Sequence, residues 1–86
     1  MRNIINNFMN KLKLEDISNF ASNKGITLSE NELVFTYEFI KKNWESILGN
    51  PKLFNIDRYK SNYTPDNFIK IKKIYKEYLQ KYSNYL

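Results

Sequence analysis

The chain has no cysteine and no histidine. Without cysteine it can build neither a disulfide framework nor a thiol nucleophile, and lacking both residues it cannot form a zinc finger. It also lacks the side chain best suited to proton transfer near neutral pH. Glycine is confined to Gly25 and Gly49, so there is no glycine-rich phosphate loop, and arginine to Arg2 and Arg58. The longest stretch free of charge is Asn3 to Asn10, eight residues of which four are Asn. That is neither a membrane span nor the apolar region of a signal peptide. A cysteine-free chain fits a reducing compartment, and the expected location is cytoplasmic.

What remains is aromatic and basic. Thirteen Phe and Tyr side chains and one Trp stand among 86 residues, of which 42% are hydrophobic, enough for one modest core and one domain spanning residues 1–86. Ala, Gly, Pro and Arg total seven residues, a scarcity of GC-rich codons that accounts for much of the Asn and Lys content. Net charge is +5 and unevenly spread: residues 1–45 carry six basic and six acidic side chains, residues 46–86 eight basic and three acidic. Six of the seven tyrosines also lie in the second half.

Outside residues 50–63 the pattern along the chain is helical. In "RNIINNFMNKL", Ile4, Ile5, Phe8, Met9 and Leu12 form an amphipathic stripe over residues 2–12. "LEDISNFASNKGI" predicts a second short helix, with Glu15 and Asp16 complementing the dipole of its first turn and Ile17, Phe20 and Ala21 on its buried side. Gly25 supplies a left-handed terminator, with Ile26 able to close back on Ala21. Ser29 and Glu32 spell a capping box, and Leu28 with Leu33 a hydrophobic staple, so a long helix is expected from about Glu30 to Ile47, ended by Gly49 and Asn50-Pro51. On it Leu33, Tyr37, Ile40, Trp44, Ile47 and Leu48 share one face, whereas Phe35 and Phe39 point to another.

Residues 50–63 have no clean period, yet Leu53, Phe54, Ile56 and Tyr59 are too apolar for a free loop, which predicts a packed connection with room for one helical turn. Thr64, Pro65 and Asp66 then mark a last helix running to about Ser83. Its apolar side carries Phe68, Ile71, Ile74, Tyr75, Tyr78, Leu79, Tyr82 and Tyr85. No segment alternates as a strand would. The expected fold is all-α: a small bundle of about four helices, two short and two long, with a structured connection before the last. Its expected core is Ile17, Phe20, Leu33, Ile40, Trp44, Ile71, Tyr75 and Leu79.

The order "NIINNFMNKL", "LEDISNFASNKGITLSENEL" and "YTPDNFIKIKKIYKEYLQKY" resembles the small YqfT-like family of proteins from low-GC Gram-positive bacteria. The resemblance implies a helical fold and a bacterial source. It supplies no catalytic or binding residue.

Two surfaces are candidates for function. Phe35 and Phe39, with Phe54 from the connection, offer either a second core face or an aromatic patch that binds a partner protein or a second copy of the chain. Lys70, Lys72, Lys73, Lys76 and Lys81 make the last helix basic; lysines neutralise phosphate and tyrosines stack on bases, so the alternative is sequence-independent RNA or DNA binding. Against it, the lysines surround the helix and read equally as a solvated face. A helix-turn-helix reading of residues 15–47 fails because Glu30 and Glu32 would repel phosphate. The acid pairs Glu15-Asp16 and Glu30/Glu32 stand where helix starts favour negative charge, so no catalytic residue, metal ligand or cofactor is assigned. The last helix lacks the aliphatic face that inserts into a membrane surface. The sequence thus points to a non-enzymatic interaction or self-associating module, with nucleic-acid binding as the alternative.

Overall fold

Local backbone chemistry sets the helix boundaries. The computed structural model describes residues 2–50 and 54–82, with side chains placed for 6–50, 54–78 and 80. Four α-helices follow in order: α1 (Arg2–Asn10), α2 (Leu14–Asn23), α3 (Glu30–Gly49) and α4 (Pro65–Tyr82). A 3-10 helix, Ile56–Asn62, lies between the last two, and no strand occurs among the described residues. The fold is all-α, and no described helix is long and apolar enough to cross a membrane.

Helix α2 starts where the Asp16 carboxylate accepts the Lys13 backbone N–H at 2.9 Å. It ends in a Schellman turn: Ile26 N–H bonds Ala21 C=O at 2.8 Å, Gly25 N–H bonds Ser22 C=O at 3.0 Å, and Gly25 takes φ +78°. Ala21 and Ile26 are both buried, as expected from a turn that folds the chain back on its helix. Helix α3 opens on the expected box, with Glu32 N–H donating to Ser29 Oγ at 3.2 Å and Ser29 N–H to Glu32 Oε1 at 2.8 Å. It runs two residues past Ile47. Gly49 is its last helical residue, and the turn out is made at Asn50 (φ −143°, ψ 70°), which precedes Pro51 and is therefore disfavoured in the helical region. The connection is more ordered than one helical turn, because the Asn55 side chain accepts the Asp57 N–H at 3.0 Å and starts the 3-10 helix.

The core is small. Among the described residues Leu12, Ile17, Ala21, Ile26 and Phe68 are the buried apolar side chains, and none is fully enclosed. The Cα radius of gyration is 12.8 Å, slightly above the about 12 Å expected for a well-packed chain of this length. Leu33, Ile40, Trp44, Ile71 and Tyr75 are half-buried, and Leu79 lies outside the described side chains. Phe20 corrects the expectation: it is 44% exposed, its ring 6.1 Å from Tyr78 with the Lys24 ammonium lying over both. Leu48 is exposed as well. Helix α3 extends about 30 Å and α2 about 15 Å, so the end of α3 outruns the helix it packs on. Ile4, Ile5, Leu53, Tyr82 and Tyr85 lie outside the described side chains.

The two glycines differ in sign. A Cβ at either meets nothing within 4 Å. Gly25→Ala is expected to cost about 1–2 kcal/mol, the penalty of a left-handed residue with a side chain. Gly49→Ala, in a helical turn, is expected to stabilise by up to about 1 kcal/mol. Urea unfolding followed by circular dichroism checks both.

Candidate functional site

Phe35 and Phe39 do have an internal partner. The 54–63 segment lies against their face of α3 and brings Phe54, Tyr59 and Tyr63 with it, while α4 adds Tyr75. Phe35 approaches Phe39 at 5.9 Å, Tyr59 at 6.0 Å and Tyr63 at 5.8 Å between centroids. Phe39 meets Tyr59 edge-on at 4.6 Å and Phe54 at 5.5 Å. Phe54 meets Tyr59 at 5.8 Å and Tyr75 edge-on at 5.2 Å. All lie in the range where ring pairs attract, each worth about 0.5–1.5 kcal/mol beyond the area it buries. Every one of the six rings is nevertheless only half-buried. Phe54 and Tyr59 border a surface groove of about 450 Å³ that also has Asn43, Glu45, Ser46 and Asn50 along it.

The lysines of α4 separate by role. Lys70 donates to the Gly25 carbonyl at 3.2 Å, just past the end of α2, and Lys72 pairs with Asp57 at 2.7 Å. The Lys72 hydrogen bond holds the Asp57 carboxyl below its ordinary pKa, aided by the charges of Lys76 and Lys60. Lys73 and Lys76 are exposed and border one shallow groove with Lys72 and with Lys60 of the 3-10 helix. The side chain of Lys81 lies outside those described. Sequence reading did not include Lys60, whose position depends on how the connection folds back on α4.

A third centre, Glu32, carries a role that sequence reading did not give it. It is the one buried charged side chain among the described residues, 4% exposed. Beyond its own capping box, its Oε2 accepts the Thr64 N–H at 2.8 Å and its Oε1 accepts from Asn67 Nδ2 at 2.9 Å. The same Asn67 amide donates to the Thr27 carbonyl at 3.0 Å. One carboxylate therefore holds the start of α3, the start of α4 and, through Asn67, the loop after α2. One turn on, Thr36 Oγ1 donates to the Glu32 carbonyl at 2.7 Å, which leaves the Tyr63 hydroxyl as donor to Thr36. The capping box was a visible signal for Glu32; the bond to Thr64 spans 32 residues and had none.

Burial alone would raise the Glu32 pKa, but the hydrogen bonds from Ser29, Thr64 and Asn67 outweigh it and hold the carboxyl below the ordinary glutamate value. Burial raises the Tyr63 phenol, and the Glu32 charge adds to it. Among the described residues no group of three His, Cys, Asp or Glu side chains comes together to hold a metal ion.

No family model, curated protein or solved structure matches the chain. The resemblance to the YqfT-like family therefore rests on the segments quoted above and carries no functional argument.

Two outcomes follow for the titrating groups. Glu32 has a lowered pKa, so its contribution to stability is complete above the unfolded value of about 4.3 and is lost as pH falls through the folded value. Glu32→Gln should cost about 1–3 kcal/mol at neutral pH and flatten the acid limb of stability against pH, measured by urea unfolding. Tyr63 has a raised pKa, so its contribution is complete below about 10 and is lost as pH rises through the folded value. Tyr63→Phe should flatten the alkaline limb.

Proposed function

We infer that the protein is a non-enzymatic, cytoplasmic interaction module that associates with a second copy of itself through the aromatic cluster of Phe35, Phe39 and Phe54. The observation that carries this reading is that six aromatic rings gather at one place and none is sealed from solvent. Interface centres are enriched in Phe and Tyr, with a polar rim around them. The groove beside Phe54 and Tyr59 has such a rim in Asn43, Glu45 and Asn50. A small chain with no fully enclosed side chain among its described residues gains stability by burying such rings against a copy of itself. The non-enzymatic part is supported by the acids: Glu32 is occupied in holding two helix starts, and Asp16 in holding α2. Sedimentation equilibrium over rising concentration should show a dimer that persists at high salt and is lost in Phe54→Ser, whose circular dichroism should match the parent. A monomer at every concentration, or a Phe54→Ser dimer, contradicts the reading.

One observation favours a second reading, sequence-independent binding of RNA or DNA. Lys60 joins Lys72, Lys73 and Lys76 around a single groove, so positive charge from two elements converges there. Asp57 and Glu77 in the same groove offset part of it. Fluorescence anisotropy of labelled single-stranded RNA should then show binding that weakens steeply as salt rises and disappears in Lys73→Glu with Lys76→Glu. No binding at low salt removes this reading.

A further inference from the structure

The helices border a half-open cleft of about 440 Å³ that shares no lining residue with the lysine groove. Its lining includes Leu12, Ile17, Ala21 and Ile26 from the first part of the chain, Ile40 of α3 and Ile71 of α4. Phe8, 62% exposed, and Phe20 stand at its mouth. Native interiors tolerate few voids larger than a water molecule, and an apolar cavity of about 150 Å³ already stays dry and admits benzene. This space is about three times that size and falls within the range of small-molecule sites.

The hydroxyl protons on its wall are already committed, and Asp16 already accepts one bond. Asp16 accepts from Lys13 N–H, the Thr36 proton goes to the Glu32 carbonyl, and the Tyr63 proton goes to Thr36. Among the described residues no lysine or arginine lines the cleft, and the one charged residue there is an acid. A carboxylate or phosphate head would find no counter-charge there, and a hydrogen-bonding ligand would find no free donor. We propose that this cleft is a binding site for a small, uncharged, apolar molecule, an aromatic or branched hydrocarbon group no larger than about three benzene rings. Burial of that surface supplies the affinity. The cleft shares Tyr63 with the aromatic cluster and none of its other five rings.

The test is an NMR titration of isoleucine methyl groups in the full chain with toluene, with octanoate as the charged comparison. Toluene should shift the methyls of Ile17, Ile26, Ile40 and Ile71 in a saturable way and raise the melting temperature. Filling the cleft by Ala21→Phe, or by Ile40→Phe should the first variant fail to fold, should weaken toluene binding at least about tenfold. The proposal is overturned by any of three results. These are the absence of saturable toluene shifts, an octanoate affinity equal to that of toluene, and methyl shifts that follow protein concentration without toluene, which would show a second copy filling the space.

Discussion

One carboxylate organises this fold. Glu32 accepts three hydrogen bonds from three places in the chain: the backbone before α3, the backbone before α4 and the Asn67 amide that also holds the loop after α2. A charge 4% exposed is costly unless such donors surround it. Two of them are the otherwise unpaired N–H groups of helix starts, which are themselves costly to leave unmet, and the third is the Asn67 side-chain amide. Each side of the arrangement satisfies the other. With so little fully buried apolar surface, packing alone would define the α3–α4 angle weakly, whereas the carboxylate fixes one end of both helices directionally.

The aromatic cluster inherits its geometry from that anchor. Glu32 takes the Thr64 N–H, and one helical turn later Thr36 takes the Tyr63 hydroxyl. Consecutive residues of the incoming strand of chain are thus fixed to consecutive turns of α3. The 3-10 helix immediately before them then has one way to lie, with Tyr59 against Phe39 and Phe35. Lys72 and Asp57 close its other side onto α4.

Much of what depends on neighbours in sequence was legible. The Ser29–Glu32 box, the Gly25–Ile26 turn and the Thr64-Pro65 start each involve residues within five positions, and each fixes a helix end in the structure. Distance in sequence limited the rest. Nothing local shows that the box glutamate also serves α4, or that Lys60 joins the α4 lysines. The 3-10 helix had a faint signal in Ile56, Tyr59 and Asn62, spaced by three as an eclipsed 3-10 face requires. Periodicity placed Phe20 on the inner side of α2, but the depth of burial depends on what α4 presents opposite, which is a tyrosine at the surface. The candidate surfaces were visible as residue types in this way; their partners inside the fold were not.

The central claim is that Glu32 ties the start of α4 to that of α3, and hydrogen exchange at the Thr64 amide tests it most directly. Thr64 is an exposed residue outside the helices, and its N–H has the Glu32 carboxylate as acceptor. Exchange slowed to the rate of global unfolding, and released in Glu32→Gln, is the predicted result. A Thr64 amide that exchanges as fast as an unstructured one in the parent protein would contradict the account.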